Sequence, residues 1–181
     1  MLKFYHHCAS YQLKCAAKIY NQNPSPRSNV RPILIFLSLC GIIVSALALH
    51  VHYSTETEPC SINSHWDCGI VNHSPYSVVF RGVWSSNGIP FDGIPVALIG
   101  IVGHGILEAL VLMRRRGLFF LTALFGVGYS GYLSHIEAHV LGVWCIYCVT
   151  SASILVVIML LGGGWLLAGL RQRAKAPISA S

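Results

Sequence analysis

The sequence predicts an all-α membrane protein, a four-helix transmembrane bundle with a long outer loop that carries a short helix. The chain has 181 residues, of which only 10% are charged. Its mean hydropathy is +0.62, a value typical of membrane proteins. Four apolar stretches are each long enough to cross a bilayer, which takes about 20 helical residues. The net charge of +6 lies mostly at the ends of these stretches, which argues against nucleic-acid binding.

The four predicted helices follow one another with short and long connections. Pro32 and Pro95 fall in first turns, where proline is tolerated. Three consecutive glycines, 162–164, weaken the fourth helix, so its end is the least defined boundary. The predicted helices run from Pro32 to about Val51, from Gly93 to Met113, from Gly117 to about Ala138, and from near Trp144 to near Leu170.

The positions of lysine and arginine predict the orientation of the bundle. All but Arg81 of the 12 Lys and Arg residues precede the first helix, separate the second from the third, or follow the fourth. Cytoplasmic flanks are enriched in these residues. We therefore expect a cytoplasmic tail over residues 1–31, a transmembrane catalytic domain over 32–170 with its outer loop at about 52–92, and a cytoplasmic tail over 171–181.

One alternative concerns the first helix. Its segment Ser45-Ala46-Leu47-Ala48 resembles a signal-peptide cleavage site, although the basic leader is long for a signal peptide. Cys8 and Cys15 lie in that leader, where a cytosolic position would keep them reduced.

The clearest chemical motif is Cys145-Ile146-Tyr147-Cys148, a C-x-x-C at the outer start of the fourth helix. Two thiols on one helical turn can close and reopen a disulfide. A helix N-terminus favours the thiolate, which is the species that reacts in disulfide exchange. The motif also occurs as half of a zinc site.

A second pair, Cys60 and Cys68, lies in the outer loop within a polar segment that could swing. A mobile pair can take electrons from a partner protein and pass them on by mixed-disulfide exchange. Two alternatives remain open: a purely structural disulfide, or a zinc site that adds His65 and His73.

Electrons that reach the C-x-x-C need an acceptor. The sequence has neither a C-x-x-C-H haem motif nor a glycine-rich phosphate loop after a strand. A flat apolar quinone near Cys148 fits between helices lined by apolar and aromatic residues. We therefore predict a quinone, ubiquinone or menaquinone, as the electron acceptor and no metal.

These motifs, in this order, resemble the bacterial form of the vitamin K epoxide reductase family over roughly residues 33–170. The resemblance is carried by the Cys60 and Cys68 pair with Ser74 following, by the opening of the second helix, and by the opening of the fourth. The matching segments are Cys68-Gly-Ile-Val-Asn-His-Ser74, Gly93-Ile-Pro-Val-Ala-Leu-Ile-Gly100 and Trp144-Cys-Ile-Tyr-Cys148.

The resemblance implies a role for each cysteine. Cys60 would exchange with a partner protein, Cys68 would form a mixed disulfide with Cys145, and Cys148 would face the quinone. Ser74 would hydrogen-bond the substrate region. A short helix over Pro75 to Phe80 would cap the pocket, which places Phe80, with Tyr147, among the expected quinone-binding residues.

The family resemblance also implies partners and location. Many bacterial members continue into a fused thioredoxin-like domain, whereas this sequence ends soon after Lys175. We therefore expect a separate thioredoxin-like thiol oxidase outside the membrane, a bacterial inner-membrane location, and no nucleic acid partner. Vertebrate members carry a tyrosine where this chain has Ala152, so disulfide formation coupled to quinone reduction is favoured over reduction of vitamin K epoxide.

Further ionisable residues fall inside the apolar stretches, where they usually face the bundle interior. Glu137, near the outer end of the third helix, could handle protons as quinone becomes quinol, or pair with a loop group. His104 and Glu108 share one helix face and could form a proton path or an interhelical hydrogen bond. Two functional alternatives remain: epoxide reduction or electron export, and a non-catalytic four-helix membrane protein with a structural Cys60–Cys68 disulfide.

Overall fold

The fold was analysed in a computed structural model that describes residues 30–54, 60, 63, 65–80 and 93–175. Within these residues the elements, in chain order, are helices α1 to α5, a 3₁₀ turn, two short strands and a π-helical turn. Their bounds are α1 Val30–Tyr53, α2 Cys68–Asn72, the 3₁₀ turn Pro75–Ser77, β1 Val78–Val79, β2 Ile94–Pro95, α3 Val96–Leu112, α4 Arg116–Ile136, the π-helical turn Glu137–Leu141 and α5 Ile146–Lys175. Cys8, Cys15 and Arg81 lie outside the described residues.

The predicted all-α membrane class is confirmed. Within the described residues, α1, α4 with the π-helical turn, and α5 are long and apolar enough to span a membrane, and α3 is a shorter apolar helix. Large apolar side chains such as Phe36, Phe125 and Leu160 are exposed on the outside of the bundle. In a bilayer such side chains contact lipid rather than water.

α3 begins three residues later than predicted, at Val96 instead of Gly93. The cause is a small antiparallel ladder in which Val78 pairs with Pro95 and Val79 with Ile94. The 17 residues that remain in α3 span about 26 Å at ~1.5 Å per residue.

The fourth transmembrane helix, α5, continues to Lys175, five residues beyond the predicted end near Leu170, while its candidate membrane span ends at Gln172. The glycines 162–164 do not break it because two of them sit against aromatic rings of α4. A Cβ at Gly162 would overlap Phe119, and one at Gly163 would lie 3.2 Å from Phe120. Close packing of α4 on α5 offsets the low helix propensity of glycine.

Two buried clusters lie at opposite ends of the bundle. α1 packs on α3 and α5, and α4 packs on α5. One cluster comprises Leu34, Leu107, Val111, Phe119, Ala123, Ile158 and Trp165. The other comprises Val51, Cys60, Cys68, Val71, Val143 and Cys145. The second cluster gathers three of the four predicted redox cysteines at one end of the fold.

Candidate redox site and cavity

Cys145 and Cys148 flank the first turn of α5. The carbonyl of Cys145 accepts a hydrogen bond from the Val149 amide at 3.0 Å, so Cys145 is the residue that starts the helix. Cys145 is buried, Cys148 is partly buried, and both are free thiols. The Cys148 thiol lies within hydrogen-bonding reach of both Cys145 and the Glu137 carboxylate.

Glu137 is the first residue of the chain reversal that precedes the C-x-x-C. The π-helical turn Glu137–Leu141 is capped by Gly142, which has a φ of +69°, a conformation that favours glycine. This reversal brings Glu137 Oε2 within 3.2 Å of the Cys145 amide, which donates to it. Glu137 is 3% exposed, so its carboxylate lies buried beside both thiols of the motif.

Cys60 and Cys68 form a disulfide, and both residues are buried. Cys68 is the first residue of α2, whose N-cap Asp67 accepts a hydrogen bond from the Ile70 amide at 3.0 Å. Because both sulfurs are in a disulfide, they cannot serve as the thiolate ligands that the zinc alternative requires. His73 is stacked on His52 instead.

Backbone hydrogen bonds join the loop to the segment just before the C-x-x-C. The Asp67 amide donates to the Trp144 carbonyl at 3.1 Å, and the Trp144 amide donates to the His65 carbonyl at 2.8 Å. Asp67 immediately precedes Cys68, and Trp144 immediately precedes Cys145. This backbone clamp therefore positions the two cysteine pairs side by side.

Asn72 is a site residue that was not predicted from the sequence. Its Nδ2 donates to the Cys68 carbonyl at 2.9 Å and to Cys145 Sγ at 3.5 Å. Asn72 is 5% exposed, and it lies four residues after Cys68, on the same face of α2. The spacing of four residues between Cys68 and Asn72, within the motif from Cys68 to Ser74, was the sequence signal that could have identified Asn72.

The Cys145 thiol lies outside the membrane-spanning segments, and its surroundings favour the thiolate. The hydrogen bond from the Cys148 side chain lowers the pKa of Cys145, and backbone hydrogen bonds from Cys148 and Tyr147 lower it further. Together they outweigh burial and the negative charge of Glu137, which raise it. A thiol with a lowered pKa is the more readily ionised partner in disulfide exchange.

A cavity of about 330 Å³ opens beneath the redox pairs, between α1, α3, α4 and α5. Most of its lining is apolar. Four of the predicted site residues line it: Ser74, Glu137, Tyr147 and Cys148. Ser74 is buried. Its hydroxyl donates to the Val71 carbonyl at 2.8 Å, and this hydrogen bond stabilises the loop.

The expected placement of Phe80 is wrong. The predicted short helix over Pro75 to Phe80 is only a 3₁₀ turn that ends at Ser77, and β1 follows it. Pairing of β1 with β2 carries the chain past the cavity, so Phe80 is 64% exposed and is not among the cavity-lining residues. The short helix of the loop is instead α2, which carries Cys68.

His104 also lines the cavity, and it makes an interhelical contact. Its Nε2 lies 3.4 Å from the Ser151 hydroxyl on α5. Glu108, His135 and His139 do not line the cavity. Among the residues that the structure describes, no group of three or more His, Cys, Asp or Glu side chains is placed to hold a metal ion.

Comparison with known proteins identifies the family. The sequence model described as "Vitamin K epoxide reductase family" matches residues 32–162. No curated protein matches the chain significantly. The matched span runs from the start of α1 into the lower half of α5 and includes both cysteine pairs, Asn72 and Glu137. The match covers more than half of the chain, so this protein belongs to the vitamin K epoxide reductase family and is a membrane oxidoreductase.

Proposed function

We propose that the protein oxidises thiols of an extracytoplasmic partner and passes the electrons through Cys60 and Cys68, then Cys145 and Cys148, to a quinone. One observation carries the proposal. Cys68 and Cys145 share a buried cluster under the backbone clamp, while Cys148 lines an apolar cavity. The two pairs are therefore adjacent, and only the last cysteine of the relay meets the space for a substrate.

The first exchange moves two electrons from the partner into the loop. A partner thiolate attacks the Cys60–Cys68 disulfide at Cys60, and the second partner thiol then releases Cys60. The partner leaves as a disulfide, and Cys60 and Cys68 remain as thiols.

The second exchange transfers the same two electrons to the C-x-x-C. Cys68 attacks an oxidised Cys145–Cys148 pair at Cys145, and Cys148 leaves as a thiolate. Cys60 then attacks Cys68, which re-forms the loop disulfide and releases Cys145. The products of this exchange are a loop disulfide and two free thiols at Cys145 and Cys148.

In the last step the Cys145 and Cys148 thiols are oxidised to a disulfide, and the two electrons and two protons are taken up as quinone becomes quinol. Glu137 is suited to move a proton here, because its buried carboxylate lies within hydrogen-bonding reach of Cys148 and lines the same cavity. Proton transfer by a positioned carboxyl group is a common catalytic contribution.

The cavity favours a lipid-soluble substrate. Val102 on α3 and Phe125 on α4 both line it and are 54% and 78% exposed on the outside of the bundle. A molecule dissolved in the bilayer could therefore enter between these two helices without crossing water. Ubiquinone and menaquinone are the proposed substrates.

The proposed partner is a separate thioredoxin-like thiol oxidase, and the proposed location is a bacterial inner membrane. Arg31, Arg114, Arg115 and Arg116 lie at the end of the bundle away from the cysteine pairs. With this end in the cytoplasm, both termini are cytoplasmic and the cysteine pairs lie at the outer face, where disulfides are formed.

The test uses the full chain in lipid nanodiscs, an excess of a reduced thioredoxin-like protein, and ubiquinone or menaquinone. We expect quinone absorbance to fall with the wild type, and to stay constant with Cys148→Ala or Cys145→Ala. The matched control is Cys40→Ala, since Cys40 lies on α1 and does not line the cavity.

The variants also separate the steps of the relay. In Cys145→Ala the partner should still reduce the Cys60–Cys68 disulfide, but no quinol should form. Full activity in Cys148→Ala would refute the relay. A non-catalytic protein with a structural loop disulfide would give no quinol with any variant, the wild type included.

A further inference from the structure

A ring of polar side chains crosses the cavity below Cys148. Ser151 follows Cys148 by three residues on α5 and lies on the same helix face, about 4.5 Å deeper along the axis. Both residues line the cavity, as does His104 on α3. The depth of Ser151 relative to the reacting sulfur is therefore set by helix geometry.

α4 contributes a third polar residue at this depth. A Cβ at Gly126 would lie 3.5 Å from Leu155, and Gly162 sits against Phe119. These two contacts define the antiparallel register of α4 and α5, and the same register puts Ser130 level with Ser151. Ser130 also lines the cavity. We call His104, Ser130 and Ser151 the polar girdle.

The hydrogen bonding of the girdle is incomplete. His104 Nε2 lies 3.4 Å from Ser151 Oγ, while His104 Nδ1 is buried with no hydrogen-bonding partner among the described residues. A buried polar group without a partner is costly. If Nε2 carries the proton and donates to Ser151, the serine hydroxyl hydrogen is free to donate into the cavity.

We propose that the polar girdle binds the quinone oxygen that lies away from Cys148, and so fixes how the quinone ring is oriented in the cavity. This inference rests on the proposed function and names the orientation of its substrate. The two oxygens of a para-quinone lie on opposite sides of one ring, a separation comparable with one helical turn of about 5.4 Å. One oxygen then lies by Cys148 and Glu137, and the other accepts a hydrogen bond from Ser151. His104 acts as a positioning residue behind Ser151.

The experiment compares two ligands that differ by one oxygen. 1,4-Dihydroxynaphthalene has both oxygens of the reduced ring, and 1-naphthol has one. Affinities are measured anaerobically by calorimetry on the full chain in nanodiscs, with Cys145 and Cys148 reduced. The wild type should bind the diol between about twofold and tenfold more tightly, the range expected for one net hydrogen bond.

Ser151→Ala should reduce this preference to about one, and His104→Phe should reduce it similarly. Ser153→Ala is the matched control and should keep the full preference, because Ser153 is exposed on α5 and donates to the Val149 carbonyl at 2.8 Å. If His104→Phe does not fold, the comparison of Ser151→Ala with Ser153→Ala still tests the proposal. Ser151→Ala should also raise KM for a para-quinone by the same factor with little change in kcat.

The proposal fails if Ser151→Ala keeps the full preference for the diol. It also fails if the wild type binds the two ligands equally. Either result can occur while Cys148-dependent quinone reduction is normal, so the inference can fail on its own. Loss of quinone reduction in every assay, with the ligand preference intact, would instead refute the proposed function.

Discussion

Asn72 Nδ2 donates a hydrogen bond to Cys145 Sγ across 3.5 Å, and so links the helix that starts at Cys68 to the sulfur that starts α5. The same amide group is held by the Cys68 carbonyl at 2.9 Å. Asn72 therefore contacts both cysteine pairs, and its removal should affect the exchange between them.

The first prediction concerns this exchange. In a Cys60→Ala/Cys148→Ala background only Cys68 and Cys145 remain in the site, and oxidised glutathione should join them in a disulfide. Adding Asn72→Leu should slow this reaction by about two- to tenfold, because the thiolate loses a hydrogen bond worth about 0.5–1.5 kcal/mol. Mass spectrometry of trapped samples gives the rate. His73→Ala should leave the rate unchanged, since His73 is exposed, and an equal rate in Asn72→Leu would contradict the role of the amide.

The second prediction concerns pH. The side chain of Cys148 lowers the pKa of Cys145, so the Cys145 thiolate persists to lower pH than that of an ordinary cysteine. Cys148→Ala removes this hydrogen bond, and the pH profile of Cys145 alkylation should shift to higher pH. The rate with iodoacetamide is followed by mass spectrometry with Cys60 and Cys68 kept as a disulfide. A profile that stays in place or moves to lower pH would assign the stabilisation to other groups.

The third prediction concerns Glu137. Glu137→Gln keeps an oxygen that can accept from the Cys145 amide, now 3.2 Å away, but it removes a group that can exchange a proton. We expect kcat for quinone reduction to fall by about 10²-fold, while the partner still reduces the loop disulfide. Glu108→Gln is the matched control, because Glu108 lies in an apolar helix but does not line the cavity. Similar losses in both variants would point to a general effect of removing a carboxylate from an apolar helix.

The fourth prediction concerns stability. A Cβ at Gly41 would overlap the His104 ring, whereas nothing lies within 4 Å of a Cβ at Gly105. Gly41→Ala should cost about 1–3 kcal/mol through overpacking and lower the thermal midpoint, while Gly105→Ala should be neutral or stabilising through helix propensity. Thermal unfolding in one detergent compares them. The double variant Gly41→Ala/His104→Ala should recover part of the loss, and no recovery would mean that the ring is not the obstacle.

The sequence was sufficient for the features that depend on local composition. The apolar stretches predicted the spanning helices to within a few residues at most ends, and the C-x-x-C marked the start of α5. The positions of Cys60, Cys68 and Ser74 within their motif identified the family, which the family match confirms. Assignment of electron-transfer roles to individual cysteines stays a prediction.

Non-local pairing explains what was missed. The late start of α3 depends on Pro95 pairing with Val78, and no property of either segment alone reveals that partner. The position of Phe80 was misjudged for the same reason. Asn72 contacts a sulfur 73 residues later in the chain, and this contact forms only when the backbone clamp joins the loop to α5.

The buried state of the loop disulfide has a consequence for selectivity. Cys60 is 4% exposed and Cys68 fully buried, so a free thiol in solution collides with protein rather than with sulfur. A donor reacts only when the covering residues move, so a docked protein that displaces them should react faster than a small thiol that waits for their spontaneous motion. In the proposed relay, this burial favours a docked protein carrier over adventitious small reductants as the source of the electrons that reach the quinone.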